Sequence, residues 1–394
     1  MLTPQKKTYR LTHIFTVSSS LIFIKNQIQF IKEKGFEISI IAAIQDDKIE
    51  NFCQEEGVHF YTLPIRRAIT PKQDLFILKQ LTQILHQIQP HVVHAHTPKG
   101  GLLGMLGATV AKVPIRFYHM RGLPFTTASK SKHYLLKNTE KISCKLAHQV
   151  LCQSHSLRNF VIYENICSAQ KTTVLCEGSN GIDFENRFNP RRFSKSTCFE
   201  LKKDMNIPYS SQVIGYVGRI TCDKGIPELQ ESWNLIKKKN QNVYLVIIGS
   251  LDEREKNENL YSNFCNDPQV RLIPHTDIPE QYYAIFDLFV LPSYREGFPN
   301  VLNEAAAMQL PIVTSNAIGC TDAVEHEVTG TVVPIGDTIS LTQAIEKYLN
   351  NHNLRREHGI AGRKRVERLF AQKPIWEALE QLYYRFLFLR GYKS

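Results

Sequence analysis

Short apolar runs bounded by turn residues, each followed by a stretch of helical periodicity, recur along this chain, and that alternation restricts it to one fold class. In residues 10–185 the runs 11–17, 38–43, 91–95, 115–118, 149–152 and 173–176 read as buried strands with helices between them. The pattern resumes with runs at 243–249, 270–274, 288–291 and 311–314. Strands separated by helices require crossover connections, so an α/β architecture with parallel sheets covered on both faces is expected. A chain of 394 residues exceeds what one core supports, and two domains are expected, 1–190 and 198–370. The polar, basic stretch 188–197 reads as their linker. From about Ala371 to 394, Trp376, Leu379, Leu382 and Tyr383 fall at the spacing of a terminal helix.

Nine cysteines, odd in number and without a C-x-x-C pair, suggest neither a disulfide framework nor a zinc site, which points to a reducing cytoplasm. Lys6, Lys7 and Arg10 precede an apolar stretch as in a signal peptide, but His13 and Ser18 to Ser20 interrupt it, so no cleaved leader is expected. No run reaches the roughly 20 apolar residues of a membrane span, so any membrane contact is peripheral, on the inner face of the cytoplasmic membrane. The net charge of +11 favours polyanions or anionic headgroups. Its spread along the chain, with no nucleic-acid-binding signature, argues against DNA or RNA.

Two loops of the later half carry chemistry. In residues 288–304 an apolar run is followed by a loop and then by Pro299, which opens a helix with Val301, Leu302, Ala305 and Met308 at helical spacing. Glu296 closes the loop, and Glu304 lies roughly two helical turns further on. Gly297 permits close backbone approach, helix-start amides suit an anion, and a carboxylate can accept both hydroxyls of a vicinal diol. Together these describe a nucleotide sugar, although a solvated helix face would show the same two glutamates. Upstream, in 213–226, a strand ends in Gly218-Arg219, and Lys224-Gly225 precedes a helix near Pro227. One guanidinium and one ammonium from a single loop can clamp a diphosphate.

Gly218-Arg219 with Lys224-Gly225, followed by Glu296-Gly297-Phe298-Pro299-Asn300 and Glu304, resembles the donor site of the GT-B-fold retaining glycosyltransferases of family 4, bacterial cell-surface polysaccharide enzymes among them. The resemblance extends over nearly the whole chain and is specific in the C-terminal half. It implies two Rossmann-like, doubly wound domains facing a central cleft, the first for the acceptor and the second for the donor, with the terminal helix crossing back to the first. Gly218, Arg219, Lys224, Glu296, Gly297, Phe298, Pro299, Asn300, Val301 and Glu304 become donor contacts, Glu304 on the ribose and Glu296 on the sugar. In such enzymes a loop like 274–279 passes the base by backbone contacts, and an Asn-Gly-hydrophobic-Asp segment like 180–183 lies at the cleft.

The first half supplies the acceptor side. After the first run stands Ser18-Ser19-Ser20 rather than G-x-G-x-x-G, which excludes an NAD-dependent dehydrogenase. Hydroxyls of Ser18 and Ser19 can bind sugar or cap a helix. His94 and His96 share one side of a strand; a metal would need a third ligand that the sequence does not place nearby. Alternatively His96 and Lys99 stand at the cleft, where the helix starting near Lys99 holds an acceptor phosphate or hydroxyl, or His96 bonds to backbone. Where the family carries His before Gly122, this chain has Arg121, with His119 two places earlier. Arg121 cannot act as a base but can bind a phosphate. Lys130, Lys132, Lys137, Lys141 and Lys145, with an apolar stripe of Leu135, Leu136, Ile142 and Leu146, suit either an anionic membrane or domain packing, and the cluster Arg355 to Arg368 invites the same reading.

No D-x-D occurs, so no metal ligands are expected on the diphosphate, and no cofactor. The catalytic set is then Glu296, Arg219, Lys224, His96 and Arg121. The resemblance implies transfer from a UDP-sugar, with retention and front-face attack, to a polyprenyl-diphosphate-linked glycan in surface polysaccharide synthesis. A nucleotide-sugar epimerase of the same fold and a non-enzymatic polyanion or lipid binder are the alternatives.

Overall fold

The computed structural model describes residues 8–44, 48–252, 255 and 259–392. Among the described residues thirteen strands form two sheets, all of whose ladders are parallel. The strands are β1 Tyr9–Val17, β2 Phe36–Ala43, β3 His59–Thr62, β4 Val92–His96, β5 Ile115–Met120, β6 Gln149–Cys152, β7 Thr172–Thr173, β8 Gln212–Val217, β9 Val243–Ile248, β10 Val270–Ile273, β11 Leu288–Leu291, β12 Ile312–Ser315 and β13 Gly330–Val333. The first sheet has the order β3-β2-β1-β4-β5-β6-β7, the second β10-β9-β8-β11-β12-β13. The chain divides into two compact units, 1–180 with 373–394, and 181–372.

Each order reverses once, between β1 and β4 in the first unit and between β8 and β11 in the second. Loops leaving the carboxyl ends of the strands beside such a reversal splay to opposite faces and leave a crevice for a ligand. In the second unit those loops are the two singled out for a diphosphate and a diol.

Helix Gln372–Leu389 contributes Leu379, Tyr383 and Leu387 to the core beneath β1, β2, β4 and β5. The expected strand 173–176 shrinks to β7, because the chain turns away through the left-handed Cys176 (φ 50°). The stretch 188–197 is tightly structured: Phe188 is buried in the core of the second unit, and helix Lys195–Asp204 starts under a Ser194 cap. Helix Pro98–Val110 lies close on the first sheet through Gly101, where a Cβ would meet the Tyr118 ring at 2.2 Å.

The basic runs divide. Arg355, Arg363 and Arg365 donate to the carbonyls of Tyr348, Leu349, Phe184, Phe188, Ala307 and Asp322 and so serve the packing of their own unit, whereas Arg356, Lys364 and Arg368 are exposed. Helix Lys130–Leu146 divides its apolar stripe, with Leu136 and Leu146 half-buried and Leu135 and Ile142 exposed. It buries Glu140, Ser143 and Cys144 and exposes Tyr134 (71 %), Leu135 (48 %) and Ile142 (44 %).

Candidate functional site

In the second unit, the loop after β8 and the loop after β11 are stitched together. Backbone does part of it: Tyr294 N–H donates to the Asp223 carbonyl at 3.0 Å, and a Cβ on Gly225 (φ 72°) would collide with the Pro292 carbonyl, so only glycine allows this approach. Side chains do the rest. Arg295 pairs with Asp223 at 2.6 Å, and the Lys224 ammonium reaches the Glu296 carboxylate, which also accepts from Ser293 Oγ at 2.9 Å. Lys224 and Glu296 keep only 15 % and 12 % of their side-chain surface, so this ion pair is mostly desolvated. Lys224 of the loop after β8 and Glu296 of the loop after β11 thus meet directly.

Arg219 takes a different partner. It lies 44 % exposed and is paired with Asp252 from beyond β9, while Glu255 accepts from the Cys222 N–H. Carboxylates thus stand against a guanidinium and an amide of the loop after β8, the groups that suit an anion.

Helix Asn300–Ala307 starts directly after the Glu296 loop, and Pro299 at its N-cap has no side-chain oxygen to close the first turn. Phe298 is buried, and Gly297 lies so near Gly319 that a Cβ there would meet the Gly297 carbonyl at 2.5 Å. Gly218 is half-buried at the end of β8, and Asn300 and Val301 are half-buried at the helix start. Further along that helix Glu304 accepts from the Tyr283 hydroxyl at 2.9 Å. Burial pushes its carboxyl up to about 7, with the Tyr283 bond pulling the other way.

In the first unit, the reversal lies between the end of β1 and the end of β4. Helix Pro98–Val110 starts there, but Thr16 Oγ1 accepts from Gly100 N–H at 3.0 Å and lies 2.7 Å from Thr97 Oγ1. Lys99 leaves the site, pairing with Asp74 at 2.7 Å and donating to the Ala68 carbonyl. The expectation that this helix start and Lys99 hold an acceptor phosphate therefore meets a hydroxyl and a carboxylate already in place. Ser18 is buried in the 3₁₀ turn Ser18–Phe23, and the side chain of Ser19 lies outside the described residues. Thr97, at φ 64° and ψ 155°, holds a conformation ordinarily left to glycine, a strain typical of sites.

Between β1, β4 and β5 stands a stack of imidazoles that sequence reasoning saw only in part. His13, which it had not nominated, comes beside His94 and His96, with ligand-capable nitrogens within 4.8 Å of one another. His13 Nδ1 and His96 Nε2 share a hydrogen bond at 2.9 Å, and Arg121 donates to His96 Nδ1 at 3.3 Å. His94 Nδ1 meets the Tyr383 hydroxyl of the terminal helix. Because a guanidinium only donates, His96 Nδ1 must be the acceptor, so His96 carries its proton on Nε2 and passes it toward His13. That commits the Nδ1 lone pairs of His96 and His13, while His94 Nε2 is left buried without a hydrogen-bond partner. Burial, helped by the charge of Arg121, holds His13 down to about 3 and His94, His96 and His119 well below their usual range. His96 is thus bonded to side chains rather than to backbone. Arg121 itself is held down to about 9 by burial.

The chain resembles known proteins over both units. Residues 199–365 match the family described as "Glycosyl transferases group 1" and residues 14–154 the family "Glycosyl transferase 4-like". It is 37 % identical to the capsular polysaccharide biosynthesis glycosyltransferase CapM of Staphylococcus aureus, over 97 % of this chain and 98 % of that one. With the UDP-Gal:alpha-D-GlcNAc-diphosphoundecaprenol alpha-1,3-galactosyltransferase of Escherichia coli it shares 26 % identity over 81 % of each. In fold it is similar to Anabaena HepE, solved with UDP and glucose, at a TM-score of 0.79, 16 % identity, and 96 % and 99 % coverage. Two parallel Rossmann-like sheets, a stitched cation–carboxylate pair at a strand reversal and this kinship identify the chain as a GT-B-fold glycosyltransferase that belongs to the group 1, family 4-like glycosyltransferases.

Proposed function

We propose that this glycosyltransferase moves a sugar from a UDP-sugar to a polyprenyl-diphosphate-linked glycan, with retention, during synthesis of a cell-surface polysaccharide. The observation that carries the reading is the convergence of Lys224 and Glu296 beside the start of helix Asn300–Ala307. In this reading Lys224, Arg219 and the helix-start amides take the diphosphate, whose charge grows as the bond to the sugar breaks. Arg219 exchanges Asp252 for a phosphate. Glu304 accepts the ribose hydroxyls, and Glu296, held by Lys224 and Ser293, orients the donor sugar. An acceptor hydroxyl forms the new bond to the anomeric carbon on the face the diphosphate leaves, and its proton passes to the departing phosphate oxygen. The printed names of the relatives, which include a UDP-sugar and a diphosphoundecaprenol acceptor, support this donor and acceptor class.

A lipid-linked acceptor brings the enzyme to a membrane surface. Tyr134, Leu135 and Ile142 stand exposed on the helix that also carries five lysines, which supports a peripheral, anionic-lipid-facing role for that helix. The deciding experiment incubates the protein with a panel of UDP-sugars and GlcNAc-diphosphoundecaprenol, then separates the products. Extension of the lipid is expected with one donor, and Arg219→Ala or Glu304→Ala is expected to abolish it without unfolding the protein. Isomerised donor without lipid extension, or full activity in either variant, overturns the reading.

A further inference from the structure

Arg121 donates all five of its N–H groups, and every partner is neutral. Nε and Nη2 both reach His96 Nδ1 at 3.3 Å, Nη2 also reaches His119 Nδ1 at 3.4 Å, and Nη1 serves Gln153 Oε1 at 3.0 Å and Asn180 Oδ1 at 2.6 Å. A guanidinium used in full this way has no N–H left for a phosphate, so its work is done through the groups it holds. Gln153, itself 3 % exposed, accepts through its oxygen and must then turn its amide nitrogen to Asn180, to which Nε2 donates at 3.1 Å.

The Asn180 oxygen therefore receives two donors. That fixes which end of the amide faces inward, and it leaves both Nδ2 hydrogens directed away from the network. The backbone beneath is equally constrained. Ser179 N–H donates to the Gln153 carbonyl at 3.0 Å, and a Cβ on Gly178 (φ 91°) would meet that carbonyl at 2.4 Å. Asn180 is half-buried, at the carboxyl end of the first sheet, where ligands of such folds bind.

We propose that Asn180 sets acceptor recognition in this enzyme, donating from its oriented amide to a hydroxyl or phosphoryl oxygen of the acceptor, with Arg121 and Gln153 as its positioning residues. The inference rests on the reading of the first unit as the acceptor-binding one. Steady-state kinetics with GlcNAc-diphosphoundecaprenol as varied substrate, beside calorimetric UDP binding, test it. Asn180→Ala is expected to raise the acceptor KM at least tenfold and to leave UDP affinity unchanged. The isosteric Asn180→Asp separates the two oxygens: a hydroxyl can turn and donate to the carboxylate, giving a partial loss, whereas a phosphoryl oxygen is repelled and transfer is lost. It also carries the test if the alanine variant does not fold. Gln153→Glu keeps an acceptor for Arg121 but loses the donor to Asn180, and it is expected to raise KM with little change in kcat. An unchanged acceptor KM in both Asn180 variants, or equal effects on donor and acceptor, overturns the inference. Absence of lipid extension by the wild-type enzyme overturns the acceptor reading itself, and this inference with it.

Discussion

At Glu304 two demands oppose each other. Its burial beside Tyr283 raises the carboxyl to about 7, yet the proposed role, accepting two ribose hydroxyls with both oxygens, needs it ionised. UDP affinity is therefore expected to climb as pH rises through about 7. In Glu304→Gln, which keeps an acceptor for Tyr283 but cannot ionise, the affinity should be flat with pH and weaker by about 1.5–3 kcal/mol, the worth of a hydrogen bond to a charged group. Calorimetry on both sides of neutrality checks this, and a pH-independent wild-type affinity would remove Glu304 from the nucleotide. Arg219 offers a second test on the same ligand. In the proposed reading its pairing with Asp252 competes with a phosphate, but the guanidinium is nearly half exposed and the pair so worth at most about 1 kcal/mol. Asp252→Asn should tighten UDP binding by up to roughly fivefold, as read by the same titration.

Helix Lys130–Leu146 meets the first sheet through an unusual contact, the Tyr118 hydroxyl donating to a Glu140 carboxyl that is 2 % exposed and pushed up by burial to about 7. A carboxyl raised above its unfolded value of 4.5 gives stability that is complete below about 4.5 and lost as pH rises through about 7. Glu140→Gln should therefore match the wild type in mild acid and exceed it above neutrality by about 3 kcal/mol, seen as a higher urea midpoint. Gly101→Ala on the neighbouring helix should displace Tyr118 and cost about 1–3 kcal/mol at any pH. Neither contact was legible in the sequence, where Glu140 reads as one polar residue on an amphipathic helix. What could be read were long apolar runs such as those of β1, β2 and β11, and the two loops that meet through Lys224 and Glu296. Short strands with mixed or few residues, β3 with His59–Thr62 and β13 with Gly330–Val333, gave no periodic signal. Pairings made across distance, such as Arg219 with Asp252 or His13 with His96, are set by the sheet order, and one-dimensional spacing carries no trace of them.

On the scale of the molecule, the two units respond differently to acid. The first concentrates His13, His94, His96 and His119 in one buried stack around Arg121, all held neutral. In the second, among the described residues, only His358 is shifted down. A histidine whose folded pKa lies below its unfolded value of 6.5 gives stability that is present above 6.5 and lost as pH falls toward the folded pKa, at about 1.4 kcal/mol per pH unit. Several such groups titrating together can exhaust the roughly 5–15 kcal/mol that holds a domain within a few pH units. The first unit should therefore acid-unfold before the second, and the tryptophans make this measurable. Trp376 lies on the terminal helix against Phe30 of the first unit, and Trp233 is buried in the second, donating to Asp267. Fluorescence of Trp233→Phe reports the first unit alone, and that of Trp376→Phe the second. Titrated from neutrality into acid, the first variant should show its transition at higher pH than the second. Replacing His13 and His96 together by Gln should move that transition to lower pH while the Trp233 signal stays where it was. Coincident transitions in the two single-tryptophan proteins would mean that the histidine stack does not govern the stability of its own unit.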